Sequence, residues 1–441
     1  MISGKQAFVK PFPTEFLWGA TLSAHAVEGG HFDSDWWRWE QRPGRIADGS
    51  TSQVGSDHWN RFAEDIALAR KFGLNTLLVS LEWSRIEPEP GTIDRPVLDH
   101  YTKVVEAIRT EGLEPIVALH EVTLPQWFAE RGGWAATGAA DGFARYTAQV
   151  AEALGDACRI WIPLLTPVTT LRMGYLRGLW PPGQQHFRAA WKSLRQVALA
   201  HAKAFRRLHE AVPAAKIGAS VDAEILHPWD DSSTWDLRAA RWDQALSNDV
   251  WPRALTTGEW PWPFQNNPAL ADTVDFLGVS YRGMQYVRFR LGRGSFACRT
   301  NKTGEGVTHE YEQDPAGMVD VLRDLSKFGK PLMLMGNGIA TGDDAARRRY
   351  LLDHVAALQR ALAEGVEVNG FMYRSLLDGF EWDRGYQAHY GLIHVGRRAL
   401  ARTPNPSAYL YKDIAVSGGI REGALGRYCP EWQTPEGLEL V

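Results

Sequence analysis

Three charged residues, Glu121, Arg282 and Arg374, lie at or near the C-terminal ends of predicted β-strands, where side chains can converge on one ligand. A carboxylate near apolar rings has a raised pKa, which suits it to proton transfer at neutral pH. Guanidinium groups match the paired oxygens of carboxylates and phosphates. The combination predicts general acid-base chemistry at Glu121 and recognition of an anion by the two arginines.

The same residues also have structural interpretations, which the sequence leaves open. Glu121 is equally well explained as the ion-pair partner of either arginine. The arginines, in turn, would be neutralised by carboxylates such as Asp222, Glu224 and Glu381 if these lie nearby. Asp222 and Glu224 are two residues apart, so both face one side of a strand that continues past Asp222. Both are therefore predicted as further pocket residues.

Glu381 and Trp382 form another candidate ligand contact, because an acidic group beside an indole ring suits a sugar or polyol. Support of the last strand is the alternative. His120 precedes Glu121 and, by strand alternation, is expected to point toward the helices as a core histidine. No pair of candidate ligands has the helical spacing of a metal site, so neither a metal nor a cofactor is predicted.

Short β-rich runs alternate with amphipathic helical runs along the whole chain, which is typical of a parallel sheet covered by helices. A helix follows each of eight such runs, which favours a closed (β/α)8 TIM barrel over an open sheet. No linker divides residues 1–441, so a single domain is predicted. Ligands of such barrels bind at the C-terminal ends of the strands. The predicted strands are 16–21, 75–81, 114–120, 159–165, 216–222, 275–281, 331–336 and 368–375, with helices at 56–72 and 96–111 among those between them.

The bulk composition argues against several classes of partner. The 441 residues carry a formal net charge of -4 with both signs mixed along the chain, so no nucleic-acid surface is predicted. No stretch approaches the roughly 18 apolar residues of a membrane span. The three cysteines lack metal-ligand spacing and the N-terminus lacks an apolar leader, so a soluble, cytoplasmic protein is expected. The expected partner is a small molecule, and the oligomeric state is left open.

Four stretches resemble glycoside hydrolase family 1, the family of β-glucosidases and related β-glycosidases. Further anchors lie between them in the family's order, so the resemblance covers nearly the whole chain and implies the same barrel. The four stretches are FLWGAT at 16–21 with EG at 28–29, EWSRIEP at 82–88, LP at 124–125 with GGW at 132–134, and SLLDGFEW at 375–382.

The resemblance implies double displacement by two glutamates, whose carboxyl groups lie roughly 5–5.5 Å apart in retaining enzymes. The family's acid/base lies in a Thr-x-Asn-Glu-Pro run, in which this chain has Thr166 in place of the glutamate. The nucleophile lies in a Thr-Glu-Asn-Gly run, in which this chain has Gly336. A threonine hydroxyl is too weak an acid for the first role, and glycine has no side chain for the second. The chain is therefore predicted not to be a conventional retaining glycosidase.

The positions that support the two glutamates in the family differ as well, while Glu381 and Trp382, which bind the distal sugar hydroxyls in the family, are retained. The resemblance aligns Leu78 with the arginine that steers the nucleophile, Arg282 with the tyrosine that bonds it, Arg374 with the tryptophan beneath the sugar, and Ala26 and Glu121 with a sugar-binding glutamine and histidine.

The leading hypothesis is a repurposed barrel that binds a small polar, glycosylated or anionic molecule and transfers a proton through Glu121, as lyases, cyclases or isomerases do. Thr166 would then line the pocket without acting as an acid. A second hypothesis is a non-catalytic binding protein with the same fold. A third is residual glycosidase activity with Glu121, Glu224 or Glu381 as an unconventional acid.

Overall fold

Eight parallel strands close into a barrel in the computed structural model, which describes residues 12–261, 264–291, 297–302, 307–308, 311–435, 438 and 440–441. The barrel strands are β1 Leu17–Leu22, β2 Thr76–Ser80, β3 Glu114–Ala118, β4 Ile160–Ile162, β5 Lys216–Pro228, β6 Phe276–Phe289, β7 Leu332–Asn337 and β8 Val368–Tyr373. Consecutive strands pair, and β8 also pairs with β1, which closes the sheet. The predicted (β/α)8 barrel is confirmed.

Strands β5 and β6 extend beyond the barrel rim, whereas the sequence prediction ended both at the rim. They run to Pro228 and Phe289, and they stay paired along this extension with one register irregularity between Ala223 and Ile225. The short strand Ala297–Thr300 pairs antiparallel with the end of β6. The extension places residues beyond the predicted strand ends in a paired sheet, as far as Pro228 and Phe289.

Helices cover the outside of the barrel and bury one apolar face each. The helix Arg95–Thr110 begins after Asp94, whose side chain accepts a hydrogen bond from the backbone N–H of Val97 at 3.1 Å, and it buries residues such as Leu98 and Ile108. Among the described residues, no helix has both the length and the apolar character needed to cross a membrane. The α-helices are Ala24–Val27, Asp35–Glu40, His58–Lys71, Trp83–Ile86, Arg95–Thr110, Gln126–Glu130, Ala139–Leu154, Pro167–Leu171, Phe187–Ala211, Thr234–Asn248, Val250–Thr257, Pro315–Leu325, Asp344–Ala363, Pro406–Ser417 and Glu422–Tyr428.

Apolar side chains fill the interior of the barrel. An eight-stranded barrel is just wide enough for such side chains to meet in layers, so it forms a packed core instead of a channel. Leu78, Leu165 and Met335 belong to this cluster and also line a cavity above it. That cavity therefore has an apolar floor.

Candidate functional site

The cavity lies at the C-terminal ends of the barrel strands. Its lining includes residues at or just after the ends of β1, β3, β4, β7 and β8, together with interior residues of β2 and β6. Two of the predicted site residues, Asp222 and Glu224, do not reach it. Those that do are Glu121, Thr166, Arg282, Arg374, Glu381 and Trp382.

Arg374, at the end of β8, is held on two sides but keeps open donors. Its Nη2 donates to Glu381 Oε2 at 2.5 Å, and its guanidinium lies 4.4 Å from the centre of the Tyr390 ring. The side chain is 24% exposed. A guanidinium has five N–H donors, and Glu381 is the one acceptor of this side chain among the described residues. An anion in the cavity can therefore bind Arg374 without displacing Glu381.

Arg282, on β6, is anchored in a similar way. Its Nη2 donates to Asp222 Oδ1 at 3.0 Å, while its buried Nε has no hydrogen-bond partner in the described part of the chain. Burial opposes the charge, but the carboxylate of Asp222 outweighs it and raises the pKa of Arg282. An unpartnered buried N–H is costly, so this donor favours an incoming acceptor.

Asp222 and Glu224 were predicted as pocket residues, and the structure places both behind the lining. Asp222 is buried against Arg282, and Glu224 accepts from Arg172 at 2.8 Å and also from Arg299. Burial alone would raise the pKa of Glu224, but Arg299 and Arg172 lower it to about 2. Both carboxylates are neutralised by arginines, because the extended β5 places them in a buried network of ion pairs.

Glu121 follows β3 and lies apart from the ion pairs. Among the described residues, no arginine or lysine nitrogen lies within 4.0 Å of its carboxylate, and its Oε2 is buried without a hydrogen-bond partner. Burial raises the pKa of Glu121, while the hydroxyl groups of Ser23 and Ser80 and the charge of Arg374 offset part of this effect. The ion-pair interpretation of Glu121 therefore finds no support in this geometry.

We expect the substitution Glu121→Gln to stabilise the protein at neutral pH. The folded state holds the proton of this carboxyl more tightly than the unfolded chain does, because burial raises its pKa. The protonated carboxyl of Glu121 contributes to the free energy of unfolding, and this contribution is fully present below the pKa that Glu121 has in the unfolded chain. It is lost as the pH rises through the pKa of the folded state, with a slope of at most about 1.4 kcal/mol per pH unit. Burial also raises the pKa values of Glu28 and Asp35, to about 6 and about 7, so these carboxyls titrate in the same window. Urea unfolding from about pH 4 to pH 8 should therefore show the contribution of Glu121 as the difference between the wild-type slope and a flatter slope in the variant.

The matched control for this measurement is Glu224→Gln, for which the sign is opposite. The lowered pKa of Glu224 means that its ionised form stabilises the folded state above the unfolded pKa, and that this contribution disappears as the pH falls toward about 2. This substitution should therefore destabilise the protein at neutral pH. An unchanged slope in Glu121→Gln would show that the Glu121 carboxyl is hydrated in solution.

His120 and Thr166 differ in their relation to the cavity lining: His120 lies behind it, whereas Thr166 is part of it. His120 is buried against Trp134 and Phe143, where burial lowers its pKa to about 3, and it does not line the cavity. It faces the helices, as strand alternation predicts. Thr166 has a left-handed backbone conformation, with φ of 50°, and its N–H donates to Ser220 Oγ at 3.1 Å.

The floor is also constrained by two glycines, Gly336 near the end of β7 and Gly338 just after it. A Cβ atom on Gly338 would lie 1.9 Å from the carbonyl oxygen of Arg374, so two backbone segments meet there and only glycine fits. A Cβ atom on Gly336 would lie 2.9 Å from Ser280 Oγ. A side chain at Gly336 therefore needs a shift of that serine.

An aromatic wall is the part of the site that the sequence analysis missed. The Trp180 ring centre lies 5.6 Å from that of Trp36 and 5.7 Å from that of Trp382, and Trp180 Nε1 donates to Asp383 Oδ1 at 2.8 Å. Tyr390, stacked on Arg374, also lines the cavity. The many tryptophans beside acidic residues were the available signal, but neither Trp180 nor Tyr390 has a local pattern that marks it.

The chain is a (β/α)8 barrel with a charged, aromatic-walled cavity at the C-terminal ends of its strands, the face at which such barrels hold their ligand sites. The sequence profile described as "Glycosyl hydrolase family 1" matches residues 8–420. The chain belongs to glycosyl hydrolase family 1.

Several members of the family are similar over almost their whole length. Beta-glucosidase A of Acetivibrio thermocellus is 27% identical, and the alignment covers 93% of this chain and 99% of that protein. A beta-glycosidase structure from Pyrococcus horikoshii superposes with a TM-score of 0.88 at 30% identity, covering 97% of this chain and 99% of the other. A family 1 b-glucosidase from Thermotoga maritima, in complex with isofagomine lactam, has a TM-score of 0.88 at 28% identity, covering 93% and 100%.

Proposed function

We propose that this chain binds a small anionic molecule in the cavity and does not cleave glycosides by the retaining route of its family. One observation carries the proposal. The guanidinium groups of Arg282 and Arg374 both line the cavity, and each donates one hydrogen bond to a carboxylate among the described residues. Carboxylates and phosphates are the ligands that fit two such groups.

The loss of the family's chemistry follows from what stands at its two catalytic positions. We infer that Thr166 and Gly336 replace the acid/base and the nucleophile, and both line the cavity. Retaining hydrolysis needs two carboxyl groups on one bond. Leu78, Leu165 and Met335 provide only apolar floor at this level, so they cannot substitute for either carboxylate.

The proposed ligand has an anionic group and a larger, less polar body. The anionic group binds between the arginines, and the body lies over the apolar floor and against Trp180 and Trp382. The Thermotoga maritima relatives are described in complexes with sugar-like inhibitors such as isofagomine lactam and deoxynojirimycin. A sugar phosphate, a sugar acid and an aromatic carboxylate all match this description.

Glu121 is the proposed proton-transfer residue. Its carboxyl lines the cavity, is not neutralised by a close ion pair within the described residues, and has a pKa raised by burial. A carboxyl with these properties can take a proton from a bound ligand and return it elsewhere, as in lyase, cyclase or isomerase reactions. The arginines would stabilise the negative charge that proton abstraction creates.

Ligand-induced thermal stabilisation tests the binding proposal. Inorganic phosphate, a hexose phosphate and an aromatic carboxylate should raise the melting temperature, whereas the neutral hexose should not. A ligand at about 100 times its dissociation constant contributes about 2.7 kcal/mol to stability. Arg282→Gln and Arg374→Gln should remove the effect, while Arg253→Gln, which removes an arginine that does not line the cavity, should retain it. Equal stabilisation of all variants would contradict the proposal.

Deuterium uptake by a bound ligand separates catalysis from simple binding. A ligand identified by stabilisation is incubated with the protein in heavy water, and its C–H positions are followed by NMR. Exchange that depends on Glu121 and disappears in Glu121→Gln would support proton transfer. Tight binding with no exchange would favour the non-catalytic binding protein instead.

A further inference from the structure

Two histidines and an aspartate form a cluster after β8, outside the lining of the cavity. Asp378, His389 and His394 each offer one ligand atom, and these atoms lie within 4.8 Å of one another. Asp378 Oδ2 lies 2.8 Å from His394 Nδ1 and 3.4 Å from His389 Nδ1. We propose that this cluster holds a divalent transition-metal ion of the zinc type.

The donor set matches the chemistry of such ions. Two imidazole nitrogens and one carboxylate oxygen are a common protein ligand set for Zn²⁺, with water completing the coordination shell. Hard ions such as Mg²⁺ and Ca²⁺ prefer an all-oxygen set. Both imidazole Nδ1 atoms face the same carboxylate oxygen, so an ion would replace the proton of the hydrogen bond between His394 Nδ1 and Asp378 Oδ2 and move these two atoms apart.

The backbone holds the carboxylate in place without help from an ion. Asp378 Oδ1 accepts the N–H of Gly391 at 2.9 Å, which leaves Oδ2 directed at the imidazoles. The N–H of Asp378 donates to the carbonyl of Ile393 at 3.1 Å, and the strand Ile393–Val395 carries His394. The site is therefore formed in advance, and an ion would not have to order a loose segment.

The two imidazoles are also accessible. The side chains of His389 and His394 are 40% and 48% exposed, whereas that of Asp378 is 10% exposed. An ion can thus enter from solvent and keep water ligands. Arg347 donates to the backbone carbonyl of His389 at 3.0 Å, so this hydrogen bond does not use the ring of His389.

The other group of possible ligands in the described chain, His25, His31 and Glu82, is less suited to an ion. All three residues are buried, so an ion has no direct approach. His31 Nε2 already bonds the carbonyl of Ala24 at 3.0 Å. Accessibility therefore distinguishes the cluster around Asp378.

Calorimetric titration with Zn²⁺ tests the proposal and does not depend on the proposed function of the cavity. The titration uses a Cys298→Ser background, because the exposed thiol of Cys298 is a competing ligand. We expect one ion per chain. His389→Gln and His394→Gln should each weaken binding by at least about 10-fold, since loss of even an outer partner of a metal ligand has that effect. Co²⁺ should show visible absorption bands that the same substitutions remove.

The matched control is His209→Gln, which removes a half-exposed histidine that lies 3.2 Å from a single carboxylate, that of Asp275. This variant should bind Zn²⁺ as the parent does. Melting temperatures without metal show whether the variants fold, and added Zn²⁺ should raise that of the parent and the control alone. Absence of Zn²⁺ binding in the parent, or binding that neither His389→Gln nor His394→Gln weakens, would overturn the proposal.

Discussion

Purified protein is expected to release no nitrophenol from nitrophenyl β-glycosides above the uncatalysed rate, and the double substitution Thr166→Glu with Gly336→Glu is expected to remain inactive. A glutamate at Gly336 requires the hydroxyl of Ser280 to shift, since even its Cβ would lie 2.9 Å from that oxygen. Leu78 and Met335, which form the floor at this level, offer it no hydrogen-bond donor. Arg282 and Arg374 line the same cavity and would hold this carboxylate as an ion pair. Leu78 and Ala26 cannot supply the contacts that the resemblance assigns to the family's groups at these positions. Nitrophenol absorbance measures the rate.

Two controls make this prediction sharp. The beta-glucosidase from Thermotoga maritima, assayed in parallel, verifies the substrates, and the single Thr166→Glu variant separates inactivity from misfolding because Thr166 lines the open cavity. Wild-type turnover that disappears in Glu121→Gln or Glu381→Gln would instead support residual glycosidase activity through an unconventional acid. Restored turnover in the double variant would show that only the two side chains had been lost.

The barrel was predictable because its elements are marked locally. Each barrel strand is a short β-rich run followed by an amphipathic helix, and both patterns follow from the periodicity of one buried face. The position of a residue at the C-terminal end of a strand then predicts that it faces the cavity. Glu121, Arg282 and Arg374 were placed correctly around one cavity for this reason.

The partners of the charged residues were less predictable, because they are set by contacts between distant segments. Glu224 pairs with Arg172 and Arg299, which lie 52 and 75 residues away in the chain. No local pattern connects them, and the pairing also depends on the strand Ala297–Thr300, which carries Arg299 beside the end of β6 and was not predicted. A pocket carboxylate was therefore predicted where the structure has a buried ion network. Glu381 lies seven residues from Arg374, and its ion pair with that arginine was among the alternatives that the sequence left open.

Two arginines near the cavity differ in how fully they are bonded. Arg299 is 5% exposed, and it bonds Asp243 through two nitrogens at 2.7 and 2.9 Å, Ser247 at 2.8 Å, and Glu224. Arg374 has one carboxylate partner among the described residues and is 24% exposed. Arg299 therefore has the contacts of a structural residue, whereas Arg374 has donors that a ligand can use.

We expect Arg299→Ala to lower the free energy of unfolding by about 3–5 kcal/mol, because it leaves Asp243 buried without its charge partner. Arg374→Ala should cost less than Arg299→Ala, since its partner Glu381, although its side chain is only 8% exposed, lines the cavity, where water can reach it once the guanidinium is removed. Anionic ligands should no longer stabilise the Arg374→Ala variant. They should still stabilise the folded fraction of the Arg299→Ala variant. Guanidinium-induced unfolding with and without phosphate measures both quantities. If Arg374→Ala instead destabilises the protein as strongly as Arg299→Ala, and no anion stabilises the wild type, then Arg374 belongs to a closed internal ion network and the cavity is a relic of the family's fold.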